Sequence, residues 1–467
     1  MHVRTRIPPS PTGEDLHIGS VYTALINYTF AKKHGGEFIV RIEDTDRARL
    51  VNGAEERFLQ TLKDFGLMYD EGPDVEGPVG PYRQSERLDI YQRYVTELVE
   101  QGKAYYCICT KERLDKLRDS QQKKKEIPKY DKHCLEKQDE VKKKVESGES
   151  HVIRLNVENH VEVVFNDLIR GEITINTDNI DDQVLMKSDG YPTYHLAVVI
   201  DDHFMKVSHI IRGEEWISST PKHVLLYDAF GWEKPLFAHL PLLRNPDKSK
   251  LSKRKNPVWA SWYLAQGFLP AAILNYLSLM GWSHPQQKEI FDLEEFMHVF
   301  DLKDMKPVGP AFDPVKLEWM NGMYIRQTEN DDLVKLLIRY YDVYEKKDLQ
   351  EELVVKTIAL VKERIKKLSD YYPLAECFFE RPQKHELDLK KHKDLVQKMK
   401  SILTKVTDWT GVNIGQALQD LAQEEGMKNS EFFMIARVAV TGKKISPPLN
   451  ESMELLGKDE CLARLKV

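Results

Sequence analysis

The opening 42 residues constrain the fold more than any other stretch. Val3 to Ile7 alternates like a short strand, and Pro8-Pro9-Ser10-Pro11-Thr12-Gly13 then turns the chain into a loop. Val21, Ala24, Leu25 and Tyr28 recur at i, i+3, i+4 and i+7, one face of a helix. Gly35-Gly36 stops that helix, and Phe38-Ile39-Val40-Arg41-Ile42 reads as a second strand. Strands joined by a helical crossover pair in parallel. A parallel pair with its crossover is the core of a nucleotide-binding α/β domain.

The chain has 467 residues, too many for one ordinary core, so about two to four domains are expected. From about 83 to 193 the texture shifts to helix with lysine runs, Lys123-Lys124-Lys125 and Lys142-Lys143-Lys144. Short β-like segments follow at 152–157, 161–165 and 172–176. Strand patterns return at 207–211 and 237–243. This order reads as one α/β domain split by an insertion. Past about residue 325 the chain is charged and helical, with Val354, Ile358, Val361, Ile365 and Leu368 forming an amphipathic stripe.

Composition narrows the setting. Hydrophobic residues are 41% and charged residues 30%, a soluble globular balance, and no run of 18 apolar residues suggests a membrane span. The N-terminus has no long apolar stretch of the kind that targets secretion. Five cysteines, an odd and sparse count, argue for a reducing compartment, so a cytoplasmic location is expected. The net charge of -6 excludes a uniformly basic nucleic-acid coat, leaving local basic surfaces as the route to any RNA.

Two loops carry the chemistry. The first, Pro11 to Ser20, ends at a helix N-terminus, where N–H donors and the dipole suit a phosphate. Gly19 permits close approach to the backbone, and His17 can donate to a phosphate oxygen. The Gly-Lys-Ser/Thr ending of a P-loop is missing. About 230 residues later, directly after a strand, comes a basic loop, Arg244-Asn245-Pro246-Asp247-Lys248-Ser249-Lys250-Leu251-Ser252-Lys253-Arg254-Lys255.

His17-Ile18-Gly19-Ser20 resembles the HIGH signature of class I aminoacyl-tRNA synthetases, and Lys250-Leu251-Ser252-Lys253-Arg254 resembles their KMSKS signature. The stretches 6–13, 41–46, 189–197, 211–216 and 242–247 are similar to glutamyl-tRNA synthetases of the bacterial type. The likeness runs from about residue 3 to residue 325 and fades beyond.

The resemblance implies activation of L-glutamate by ATP with Mg²⁺, then transfer to the 3′ end of tRNA(Glu), with tRNA(Gln) left open. It implies a multidomain α/β plus all-α fold: a Rossmann-type catalytic domain, residues 1–82 and 194–246, split by an acceptor-end-binding insertion at 83–193. A KMSKS-like loop and stem-contact domain would follow at 247–325, then a helical anticodon-binding region at 326–467. Lys250, Lys253 and Arg254 would act with His17 on the phosphates. Arg6, Ser10, Glu43, Tyr194 and Arg212 would surround glutamate, with Glu43 on the α-ammonium. Ser10, Gly19, Glu215, Trp216, Lys250, Ser252 and Lys253 would line the ATP side. Val198 stands four residues after Tyr194, where some members carry Asn, and is left outside the site.

Cys107-Ile108-Cys109 followed by His133-Cys134 is consistent with a tetrahedral zinc site or with inert reduced thiols, because Cys-x-Cys is tighter than the usual spacing. The resemblance favours structural zinc on Cys107, Cys109 and Cys134, with Tyr130 as fourth ligand and His133 as the alternative. Arg364 falls where some relatives carry an arginine that favours tRNA(Glu) anticodons. A monomer is expected, with no membrane partner. Glutaminyl-tRNA synthetases share the catalytic signatures but continue into β-barrels, and a truncated paralogue that modifies tRNA(Asp) lacks an anticodon region. A non-catalytic RNA-binding descendant, or a small-molecule nucleotidyltransferase, is a further alternative. The intact signatures count against the first, and the long helical tail against the second.

Overall fold

The computed structural model describes residues 2–247, 249, 251, 257–309 and 311–466. Strand β1 (Arg4–Ile7), helix α1 (Ile18–Lys33) and strand β2 (Glu37–Val40) form the expected unit, with β1 and β2 parallel in register from Arg4 opposite Glu37 to Ile7 opposite Val40. Gly36 is required here, because a Cβ would sit 2.0 Å from the carbonyl oxygen of Val3.

Helix α1 does not bury one stripe, as the spacing of Val21, Ala24, Leu25 and Tyr28 predicts. Ile18, Tyr22, Ile26, Asn27 and Phe30 are buried as well, whereas Tyr28 is only half-buried. The reason is that α1 is covered on several sides. Asn27 Nδ2 donates to the carbonyl of Ile211 at 3.0 Å, and the carbonyl of Asn27 accepts from Thr5 at 2.9 Å. The Tyr22 hydroxyl donates to the carbonyl of Met280 at 2.6 Å.

Helices α2 (Ala54–Asp64) and α3 (Leu88–Glu100) follow. Strand β3 (Ala104–Cys107), helices α4 (Lys111–Lys123) and α5 (Gln138–Glu146) and strand β4 (Val152–Leu155) come next. Strands β5 (Glu162–Asp167), β6 (Gly171–Asn176) and β7 (Val184–Met186) lead into helix α6 (Tyr194–Phe204). Strand β8 (His209–Gly213), helix α7 (Thr220–Phe230) and strand β9 (Leu236–Leu240) complete a second parallel crossover.

The sheets run β3-β4-β7 and β6-β5-β9-β8. Strands β5 and β6 lie inside the 83–193 interval that sequence texture assigns to an insertion, yet β5 pairs in parallel with β9 at Asp167 and Phe237. Alternation marks a strand but not the sheet it joins, so that boundary differs from the expected one. Burying each large apolar side chain of this core, such as Leu185, Leu196, Ile200 and Phe237, contributes about 1.5–3 kcal/mol.

The chain divides into two units, 1–262 with 274–313, and 263–273 with 314–467. The second unit is helical. The expected 247–325 segment is therefore shared between units. Residues 263–273 join the helical unit because Leu269 and Ala272 bury among Ile325, Leu333, Val354 and Ile358. The Leu269 N–H also donates to Asn321 Oδ1 at 2.8 Å. The predicted stripe is buried throughout, from Val354 to Leu368, but its helix ends at Val361. Ile365 reaches the same core from an extended residue after the turn Lys362–Arg364, and Leu368 from the start of a second short turn, Leu368–Asp370, positions that a helical period mimics by chance. A second helical core gathers Val396, Met399, Ile414, Leu418, Phe432 and Cys461.

Asp201 of α6 is fully buried and ties three segments together. It accepts from Arg87 Nε at 2.7 Å, Gln84 Nε2 at 2.9 Å and the Tyr91 hydroxyl at 2.8 Å. Removing one partner of a buried ion pair strands the other. Asp201→Ala is expected to destabilise the first unit by about 3–5 kcal/mol, read as a lowered midpoint in chemical denaturation. A change under about 1 kcal/mol would show that the network is slack.

Candidate active site

The loop after β1, the ends of β8 and β9 and the N-terminal end of α6 converge on one cavity of about 350 Å³. Parallel strands open ligand crevices at their carboxyl ends, and this one is placed accordingly. Arg6, Ser10, His17, Gly19, Glu43, Tyr194, Arg212, Glu215 and Trp216 all line it. Val198 does not line it and lies in the hydrophobic core. Leu251 lines the cavity too, whereas Lys250, Ser252, Lys253 and Arg254 lie outside the described residues.

The electrostatics of the cavity are uneven. Arg6 is paired: its Nε and Nη2 donate to Asp202 at 3.1 and 3.3 Å. Arg41 Nη1 donates to the same carboxylate at 2.6 Å. Burial opposes charge on Asp202, but Arg6 and Arg41 hold its carboxyl below the usual carboxylate range. Arg6 Nη1 is buried and has no partner among the described residues. Arg212 is buried and has no carboxylate partner among the described residues. It is held by the Tyr194 hydroxyl at 3.3 Å, Thr220 Oγ1 at 2.8 Å, His223 Nδ1 at 3.3 Å and His239 Nε2 at 3.2 Å. Burial draws the Arg212 guanidinium below its ordinary value.

On the opposite sign, burial raises the Glu43 carboxyl against the pull of Arg41, which donates to it at 3.0 Å. Trp216 packs on Tyr194 with ring centres 4.5 Å apart, and the Arg212 guanidinium lies 5.9 Å from the Trp216 ring. The cavity therefore offers an uncompensated cation, an unpartnered guanidinium nitrogen, a buried carboxylate and an aromatic wall.

His17 caps α1. Its Nδ1 accepts from the Gly19 N–H at 2.9 Å, which places the ring proton on Nε2. The expectation of free N–H donors at this helix end is corrected. The Ile18 N–H donates to Val258 at 2.6 Å and the Ser20 N–H to the His17 carbonyl at 2.7 Å. The dipole remains for an anion, but these backbone donors are committed. A Cβ on Gly19 would lie 3.1 Å from His17 Nδ1, a tight contact that the capping ring would have to shift by a few tenths of an ångström to accept.

Sequence reasoning missed Asp167, Asp202, Thr220, His223 and His239. The signals were present: Asp201-Asp202 interrupts the apolar run Leu196 to Ile200, and His239 sits inside a buried strand.

The cysteine cluster lies elsewhere in the first unit. The sulfurs of Cys107, Cys109 and Cys134 lie within 4.8 Å of one another, with Cys109 and Cys134 3.4 Å apart. The Tyr130 hydroxyl oxygen is 3.4 Å from Cys107 Sγ and 3.2 Å from Cys109 Sγ. A tetrahedral zinc with Zn–S of about 2.3 Å holds its sulfurs about 3.8 Å apart, so the donor set is of the right size. Hydrogen bonding from Cys134, against burial, lowers the Cys107 thiol, while the same contact raises Cys134. His133 is not part of the metal-competent group. Arg364 is exposed on the turn Lys362–Arg364 of the helical unit.

Residues 2–319 match the family of tRNA synthetases class I (E and Q), catalytic domain, and residues 332–467 match an anticodon binding domain. The chain is 47% identical to a glutamate–tRNA ligase of Acidothermus cellulolyticus, over all of this chain and 95% of that one. It is 46% identical to a glutamate–tRNA ligase of Acinetobacter baumannii, over all of this chain and 93% of that one. A crystal structure of a glutamate tRNA ligase from Elizabethkingia meningosepticum, in complex with its amino acid, superposes with a TM-score of 0.89. It is 36% identical and covers all of this chain and 98% of its own.

The cap makes a separable prediction. His17→Ala is expected to cost about 1 kcal/mol of stability, and His17→Asn, which keeps a capping acceptor, to restore most of it. Equal losses in both variants, by thermal or chemical denaturation, would show that the cap contributes nothing.

Proposed function

The chain belongs to the class I tRNA synthetases for glutamate and glutamine and acts as a glutamate–tRNA ligase; we propose that the cavity beside Arg212 is where glutamate is read and activated. The observation that carries this reading is the buried guanidinium of Arg212, held by neutral groups only. A carboxylate side chain is the natural counter-charge, and the buried Glu43 suits an α-ammonium. Arg6, Ser10 and Tyr194 complete the amino-acid site.

ATP, with Mg²⁺, would enter on the side of His17, Gly19, Glu215 and Trp216. The glutamate α-carboxylate attacks the α-phosphorus, the bond to pyrophosphate breaks, and glutamyl-adenylate forms. The proton on His17 Nε2 and the positive end of α1 stabilise charge on the phosphates. The sequence signature assigns Lys250, Ser252, Lys253 and Arg254 to the same phosphates. The 3′-terminal ribose hydroxyl of tRNA then attacks the adenylate carbonyl and releases AMP.

Other assignments rest on the family and on the donor sets. The segment around α4 and α5 would contact the acceptor end, and residues 332–467 the anticodon, with Arg364 as a candidate reader. Cys107, Cys109, Cys134 and Tyr130 would hold zinc as a structural brace. The five cysteines are free, which supports a cytoplasmic setting. No described helix is long and apolar enough to cross a membrane.

The test is ATP-dependent transfer of labelled glutamate to tRNA(Glu) and tRNA(Gln), with glutamine as control. Glutamate is expected on tRNA(Glu), and Arg212→Leu is expected to lower kcat/KM for glutamate at least about a hundredfold. No transfer to either tRNA by folded protein would overturn the reading. Purified protein is expected to hold about one zinc per chain, released by chelators with a fall in Tm, and zinc-free protein of unchanged Tm would remove the brace.

A further inference from the structure

The groups behind Arg212 are as informative as the arginine. Its Nε donates to His239 Nε2 at 3.2 Å, and its Nη1 to His223 Nδ1 and the Tyr194 hydroxyl, each at 3.3 Å. Its Nη2 donates to Thr220 Oγ1 at 2.8 Å. Four of the five guanidinium N–H bonds are thereby committed, so the planar group is fixed in orientation.

Each imidazole is itself held at its other nitrogen. His239 Nδ1 lies 2.5 Å from Asp167 Oδ2, and Asp167 is anchored by the N–H groups of Ile169, Arg170 and His239 at 3.0, 3.0 and 3.1 Å. A proton on Nδ1, donated to Asp167, leaves the Nε2 lone pair as an acceptor facing Arg212 Nε and, at 3.0 Å, the Thr220 hydroxyl. His223 Nε2 lies 3.0 Å from His195 Nδ1, so a proton on Nε2 leaves Nδ1 for Arg212. Burial, reinforced by the charge of Arg212, keeps His223 neutral, and burial outweighs Asp167 in keeping His239 low.

We propose that His223 and His239 are positioning residues for amino-acid selection: they orient Arg212 through uncharged acceptors, so that its charge is left for the substrate's carboxylate. The proposal rests on the reading of this cavity as the glutamate site. Arg6 supplies the contrast, because Asp202 contacts it directly and compensates it. A carboxylate placed directly on Arg212 would do the same, and a substrate carboxylate would then meet a neutral pair. Asp167 is kept one imidazole away from the guanidinium. Glutamate and glutamine differ little in size, so charge left on Arg212 is the property that separates them.

The test compares the parent with His223→Glu, His223→Gln and His239→Leu, measuring kcat and KM for glutamate, glutamine and ATP with tRNA present. His223→Glu is expected to lower kcat/KM for glutamate at least about tenfold while leaving that for glutamine little changed. His223→Gln, neutral and able to accept, is expected to keep the glutamate-to-glutamine ratio within about threefold of the parent. His239→Leu is expected to raise KM for glutamate about tenfold with KM for ATP unchanged. If His223→Glu fails to fold, the other two variants decide. An unchanged ratio in His223→Glu, equal loss of the ratio in both His223 variants, or an unchanged glutamate KM in His239→Leu would overturn the proposal with a parent that still charges glutamate. A parent that does not use glutamate at all would instead overturn the underlying reading.

Discussion

A guanidinium taken out of water without a carboxylate beside it is costly, and the first unit is organised around holding one there. Arg212 lies one residue before the end of β8, and β8 is kept parallel to β9, so His239 of β9 pairs directly with Arg212 in the strand register. Helix α7 brings Thr220 and His223 to the same group, and α6 brings Tyr194. None of these neighbours is charged in its ordinary buried state. The fold thus stores an unmet demand for an anion at the carboxyl end of the sheet, where a small ligand can enter.

The contrast with the other buried charges is instructive. Arg6, Arg41 and Arg87 share Asp201 and Asp202 at the heart of the same unit, with side chains almost wholly buried. Those pairs join β1, the end of β2, α3 and α6 and give the cavity a rigid back wall. Rigidity matters because a few tenths of an ångström separate a productive contact with a carboxylate from a poor one. Arg6, compensated by Asp202, belongs to both framework and site, whereas Arg212 keeps its charge for recognition.

Much of this is legible in the sequence. The strand, Pro/Gly loop, helix and strand at the N-terminus announced a parallel crossover, and the helical period announced the C-terminal region. The His17 signature and the arginine-bearing motifs at 6 and 212 placed residues that the fold brings into one cavity. What could not be read was anything that depends on two distant segments meeting. Spacing cannot show that β5 joins β9, that Leu269 belongs to the helical core, or that the stripe at Ile365 leaves its helix. Nor can it show that the first N–H groups of α1 are already taken by Val258 and His17. His223 and His239 carried a weak signal, a histidine within apolar surroundings, which most often marks only a satisfied core residue.

The central claim concerns where the substrate's negative charge goes. The most direct measurement is a crystal structure with L-glutamate bound. The account predicts the side-chain carboxylate within hydrogen-bonding distance of Arg212 and the α-ammonium beside Glu43. A glutamate bound in the reverse sense, or one whose side chain leaves Arg212 untouched, would contradict it.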